Sequence, residues 1–256
     1  MSFSSLSLFT RHHTQTTSRH ITQEERERET HDSHDLRRSR TVFVLWLLAA
    51  VAAMAMGSWL KHQRALTAAE QGIVARIMRV PSAVTSAAHV FQLLFLPPVV
   101  VVMLLVLLAV VLHISRSVAT TVRYAVTMAV PLCFALIAKI VVARPRPITA
   151  IGVGSRDWSF PSGHTACSVV VTLGIISAIR LWSGRRPSHR SFTAARLALL
   201  LVPLATAYSR LVVGAHFPSD VLTSLVICSG LYYATRRLLL SMHGHVDAFG
   251  TGFRRA

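Results

Sequence analysis

The chain has 256 residues, 52% of them hydrophobic, and a formal net charge of +17. So apolar a composition excludes an ordinary soluble domain of this length and indicates a membrane protein. The bases cluster at the ends of apolar runs and are not interleaved with aromatics, so the charge reads as membrane topology and no nucleic-acid partner is expected.

Residues 1–40 are polar and hold the mixed-charge run Glu24-Glu25-Arg26-Glu27-Arg28-Glu29. They lack the apolar core of a signal peptide and read as a disordered cytoplasmic tail with at most one short charged helix. The scattered histidines His12, His13, His20, His31 and His34 fit a solvated tail better than a metal site. Six apolar runs follow, each about 20 residues long, the length that crosses a bilayer. They are Thr41–Leu60, Phe91–His113, Ala119–Val142, Thr165–Trp182, Ala194–Val213 and Val221–Leu240. The second holds Pro97-Pro98 and the third Pro131, both read as tolerated kinks. Between the first two runs, Ile73, Ile77, Val80 and Val84 recur at helical spacing, with Glu70, Arg76 and Arg79 elsewhere. Leu66–Val90 therefore reads as an interfacial amphipathic helix, a plain covering loop being the alternative. The expected architecture is all-α: an integral membrane six-helix bundle over 41–240, the disordered tail over 1–40, and a short basic tail over 241–256.

Arginine sets the orientation. Arg37, Arg38 and Arg40 precede the first run, Arg116 and Arg123 follow the second, and Arg180, Arg185, Arg186, Arg190 and Arg196 crowd the fourth-to-fifth connection. Arg236 and Arg237 lie at the end of the sixth. By the positive-inside rule these are cytoplasmic, and so are both termini. A bacterial cytoplasmic membrane is the expected location. Arg144, Arg146 and Arg156 then fall on the outer side, against the rule, which is expected where bases serve a function. Cys133, Cys167 and Cys228 sit inside apolar runs without metal-ligand or disulfide spacing and read as packing residues.

Three stretches carry charge at the ends of apolar runs: Lys139 to Arg146-Pro147, Pro161-Ser162-Gly163-His164, and Ser209-Arg210 to His216 and Asp220. The run order places all three on one face. Lys139, Arg146 and Arg210 converging without matching acids imply a bound anion, and a phosphate group fits their donors. Each alone is explained as a base reaching from a helix end to the interface. Ser162 is a good N-cap, and Gly163 lets backbone approach a ligand at a helix start. His216 and Asp220 are four apart, so an Asp bonded to one ring nitrogen would leave the other free. A capping Asp beside a satisfied His is the simpler alternative.

Together the three stretches resemble the ordered signature of the type 2 phosphatidic acid phosphatase superfamily, which includes membrane lipid phosphatases, glucose-6-phosphatase and soluble vanadium haloperoxidases. The resemblance covers Lys139 to Asp220. It implies that His216 attacks phosphorus, that Asp220 orients its ring, and that His164 protonates the leaving oxygen. It further implies that Lys139, Arg146, Arg210 and the amides near Ser162 and Gly163 hold the phosphoryl oxygens. Ser209 is expected to support as a hydrogen-bond donor. No metal or other cofactor is expected, since the cations take the role that Mg²⁺ plays elsewhere. The apolar runs rule out the soluble haloperoxidase. The expected partner is a phosphorylated lipid in the bilayer, with phosphatidate, phosphatidylglycerophosphate and polyprenyl diphosphate as candidates. The rival readings are a lipid-linked phosphotransferase and a non-catalytic transporter of anionic lipids.

Overall fold

The computed structural model describes the backbone of residues 5–150, 157–183 and 189–252, and the side chains of residues 30–150, 157–183 and 193–242. Expectations for Arg156, Arg185, Arg186, Arg190, the first three histidines and most of the C-terminal tail lie outside the described side chains. All regular structure among the described residues is helical, in eight segments. They are α1 (Ser5–Leu60), α2 (Arg64–Ile77), α3 (Ser82–Leu93), α4 (Pro97–Ser115), α5 (Val118–Val142), α6 (Gly163–Ser183), α7 (His189–Val212) and α8 (Pro218–Gly252). Residues Phe43–Arg236 form one compact unit, and Met1–Val42 with Arg237–Ala256 form another. The helix packing and the site lie within Phe43–Arg236.

Helix ends follow local chemistry. The polar segment whose composition marks it as disordered is helical from Ser5. It contains no Pro or Gly before Gly57, and Glu24 and Arg28 stand one helical turn apart. Leu66–Val90 is two helices, not one, because Pro81 cannot continue α2 and instead precedes α3. Pro97-Pro98 does not kink a span; the pair opens α4, where a missing N–H costs nothing. Ser117 caps α5, its Oγ accepting from the Thr120 N–H at 3.2 Å.

Five described helical stretches are long and apolar enough to cross a membrane: Thr30–Leu60, Pro97–Ser115, Val118–Val142, Gly163–Ser183 and Thr193–Val212. The chain is an integral membrane protein. Within α6, 67% of the apolar window is buried, against 17–39% for the others, so α6 is the helix the rest surround. Its Val169, Val170, Leu173 and Ile176 meet Ala50 and Ala53 of α1, Leu107 and Val111 of α4, Met128 and Phe134 of α5, and Cys228 and Leu231 of α8. Val101, Val102, Leu105 and Val106 of α4 point outward, as residues facing lipid do. Helix α8 directs polar groups inward. Ser224 Oγ donates to the Ser162 carbonyl at 2.9 Å, and Tyr232 Oη donates to the Leu173 carbonyl at 3.1 Å. The cysteines are free: Cys228 buried, Cys167 half-buried and Cys133 exposed.

One contact ties this packing to the segment before α6. A Cβ added at Gly57 would stand 2.7 Å from Cε1 of Phe160, whose ring is fully buried. Gly57→Ala is therefore expected to destabilise the protein by about 1–3 kcal/mol through overpacking and to lower turnover by displacing Phe160 and the Pro161-Ser162 step after it. Thermal melts in detergent, read beside kcat, check this; an unchanged melt and rate would refute it.

Candidate active site

The residues singled out above come from the ends of four helices. Lys139 closes α5 and Arg146 follows it; Ser162, Gly163 and His164 open α6; Arg210 closes α7; His216 and Asp220 flank the turn into α8. That turn is tight, with Gly214 at φ +65°, and the Ala215 N–H bonds back to the Arg210 carbonyl at 3.0 Å. A side chain at 214 would meet Met78 and Thr149, so glycine is needed for both conformation and space.

His216 is 1% exposed, and its ring is oriented from both ends. Nδ1 lies 2.7 Å from the Ser159 carbonyl, and Nε2 lies 3.3 Å from Arg146 Nη1. A carbonyl only accepts and a guanidinium only donates. Nδ1 therefore carries the proton, and the lone pair of Nε2 faces the cations. The acceptor at Nδ1 is not Asp220, whose Oδ2 is 3.7 Å away and outside hydrogen-bond range. Asp220 sits in the first turn of α8, and its carboxylate reaches back to the Phe217 N–H at 2.8 Å, as in a capping box. The same oxygen accepts from Ser159 Oγ. Asp220 thus holds the residue that holds His216. Burial lowers the His216 pKa, Asp220 raises it, and Arg146 and Arg210 lower it, for a net position of about 4. The ring is neutral at neutral pH. Below about pH 4 the proton on Nε2 removes the lone pair, so kcat/KM is expected to fall there; a pH–rate profile of the detergent-solubilised enzyme reads it directly.

The cations are not without acids. Asp157 lies between Lys139 and Arg146, its Oδ1 3.1 Å from Lys139 Nζ and its Oδ2 2.9 Å from Arg146 Nη2. Burial raises its pKa, but the two cations outweigh that and hold the carboxyl below its ordinary range. Arg146 also donates from Nη1 to the Ala215 carbonyl at 2.8 Å. Arg210 is buried and donates to the Gln92 side-chain carbonyl, a neutral partner on α3. Lys139, Arg146 and Arg210 against Asp157 leave a net +2, which matches the roughly −1.5 to −2 of a phosphate monoester.

At the start of α6, Ser162 is wholly buried and its N–H is taken by the Asp220 carbonyl at 3.3 Å. Its amide is not free for a ligand, and its hydroxyl accepts from Thr165 Oγ1 at 3.0 Å. Gly163 faces open space among the described residues. His164 stands beside it with Nε2 buried and unpartnered among the described residues, and the positive charges of Arg210, Arg146 and Lys139 act on its ring. Ser209 Oγ turns back to the Thr206 carbonyl of its own helix at 2.7 Å. The structure therefore brings together Lys139, Arg146, Gly163, His164, Arg210 and His216, and sets Ser162, Ser209 and Asp220 behind them.

Behind Asp220 lie two charges that the motif pattern does not single out. Arg144 is 1% exposed; its Nη1 donates to Asp220 Oδ1 at 3.0 Å and to Ser219 Oγ at 2.8 Å. Its Nη2 donates to Glu70 Oε2 at 2.6 Å, and the guanidinium stacks 4.1 Å from the Phe217 ring centroid. Glu70 Oε1 accepts the Ser219 N–H at 2.9 Å. The signal available in the sequence was scarcity, Glu70 being the one acid between Asp35 and Asp157. Beside Arg144 and Arg146 opens a cavity of about 480 Å³, lined also by Lys61, Arg64, Gln71 and Phe217. Among the described residues no three His, Cys, Asp or Glu side chains gather as metal ligands.

Two comparisons bear on this arrangement. No curated protein matches the chain. Among solved structures it is similar to the first transmembrane PAP2 type phosphatidylglycerolphosphate phosphatase from Bacillus subtilis, with a TM-score of 0.59 and 16% identity over 77% of this chain and 93% of that one. At this identity the likeness speaks for the fold. Residues 120–241 match the family model of the PAP2 superfamily, and that span holds each of the motif residues placed above from Lys139 to Asp220. Over those residues the chain is similar to the PAP2 superfamily.

Proposed function

We propose that the protein is a membrane phosphatase that hydrolyses the phosphate or diphosphate of a lipid through a phospho-histidine on His216. The observation that carries this is the tautomer of His216: Nδ1–H on the Ser159 carbonyl, and Nε2 bare and 3.3 Å from Arg146. A neutral, oriented imidazole facing a net positive pocket is an activated nucleophile for an anionic electrophile. The phosphoryl oxygens take the donors of Lys139 and Arg146 that Asp157 now engages, and Arg210 and the free amides at Gly163 complete the cradle. Nε2 attacks phosphorus, the P–O bond to the lipid breaks, and His164 gives the leaving oxygen its proton. Water then attacks phosphorus, His164 takes the proton back, and the P–N bond breaks to release inorganic phosphate.

The site opens at the ends of apolar helices, where a lipid presents its headgroup with its tails still in the bilayer. In this reading both termini are cytoplasmic, the site is on the outer face, and the membrane is a bacterial cytoplasmic membrane; the arginine distribution supports the orientation. α8 completes a sixth crossing, and α2 lies in the interface. Lys61 and Arg64 bring charge to the cavity beside Arg146 without a carboxylate partner among the described residues. That favours substrates with a second phosphate, phosphatidylglycerophosphate and polyprenyl diphosphate, over phosphatidate. Phosphate release by the purified protein over these three lipids is the test. Release from the first two at higher kcat/KM than from phosphatidate is expected; no release from any lipid phosphate would overturn the reading.

A further inference from the structure

Glu70, Arg144 and Asp220 form a buried chain that ends one contact from the nucleophile. The charges count as −1, +1 and −1. Arg144 is 3.0 Å from Asp220, close enough that by itself it would cancel the carboxylate's charge at His216. Glu70, 2.6 Å from the other guanidinium nitrogen, cancels Arg144 instead. The chain as a whole then presents −1 toward the imidazole. Attack by Nε2 leaves the ring a cation, protonated at Nδ1 and phosphorylated at Nε2, and one net negative charge behind it is what stabilises that cation.

We propose that Glu70 is a positioning residue for phosphoryl transfer, setting the charge that Asp220 offers to His216 and fixing the start of α8 through the Ser219 amide. This rests on His216 being the nucleophile. Glu70 lies on α2, outside the stretch that matches the family model. Its side chain is 15% exposed and both its oxygens are engaged, so a carboxylate on the polar face of an interfacial helix does not describe it. The other charges acting on His216 come from each neighbouring element: Arg146 after α5, His164 on α6, Arg210 on α7 and Asp220 on α8.

The experiment uses the full chain in detergent, with kcat, KM, the acid limb of kcat/KM and the steady-state phosphoenzyme fraction as readouts. His216→Ala is run first; if it stays active, the nucleophile assignment fails and Glu70 is not at issue. Glu70→Gln keeps shape and removes the charge. It is expected to lower kcat roughly tenfold with KM within twofold, to reduce the phosphoenzyme fraction, and to move the acid limb to lower pH. Glu70→Asp should recover part of kcat. Replacing both partners, Glu70→Gln with Arg144→Met, restores −1 at Asp220 and should return the acid limb to its wild-type position. The double variant keeps the wild type's net −1 in the buried chain, so the position of its acid limb supplies the test even where the single variant fails to fold. An acid limb unmoved by Glu70→Gln, or not returned by the double variant, overturns the proposal.

Discussion

Phosphate release is expected to fall on the order of 10³-fold or more when His216 is replaced by Ala, because the variant lacks the nitrogen that attacks phosphorus. Mutation of a buried side chain also leaves a cavity, so the loss must be separated from unfolding. His216→Asn does this. Its amide N–H can still donate to the Ser159 carbonyl that Nδ1 now holds at 2.7 Å, while no nucleophilic nitrogen faces Arg146. Both variants should be inactive, and the Asn variant should melt close to the wild type. Residual turnover above a few per cent in a well-folded Asn variant would mean that the attack comes from elsewhere, water or a different side chain.

His164→Ala is expected to cost about 10²–10⁴-fold on lipid phosphates, the range for removing a general acid. The dependence on leaving group is the sharper test. An alkoxide needs a proton to leave, whereas a nitrophenolate does not, so phosphorylation of His216 by an aryl phosphate should be largely spared. The same His164 then serves as base for hydrolysis of the intermediate, so the aryl substrate should give a burst of nitrophenol and an accumulated phosphoenzyme. An equal loss on both substrates, with no burst, would remove His164 from proton transfer and leave it as a wall of the pocket. The non-catalytic transporter reading would instead have His164→Ala harmless while Lys139 and Arg146 matter.

Much of this is legible in the residues, and the rest fails for identifiable reasons. Apolar runs and the ordered pattern from Lys139 to Asp220 locate five helices long and apolar enough to cross a membrane and the end of the bundle where charge collects, because a base or acid in such a place is costly and therefore rare. Partners are harder to read than positions. Asp220 is four residues from His216, yet its carboxylate is drawn to the Phe217 amide and to Arg144, and a backbone carbonyl from Ser159, 57 residues away, takes its place on the ring. No spacing rule encodes that. Glu70 looks like solvent-facing polarity on an amphipathic helix because helical periodicity says which residues share a face, not which neighbour covers it. Asp157 follows the stretch 151–156 and meets Lys139 and Arg146 only once the chain has folded back. Pro97 reads in the sequence as a kink within a span but stands at a helix start, and Pro81, inside what reads as one helix, divides α2 from α3, since the same ring ends one helix and begins the next. Helix α8 carries hydroxyls that are satisfied inside the bundle, two of them on carbonyls at the start and in the middle of the α6 region, Ser162 and Leu173.

The covalent step is the centre of the account. Rapid acid-free quench of the purified enzyme with ³²P-labelled substrate, followed by mapping of the labelled peptide, addresses it directly. Label that is stable in base, labile in acid and confined to the peptide containing His216 is the expected result. Full turnover with no protein-bound label at any quench time, or label on another residue, would contradict it.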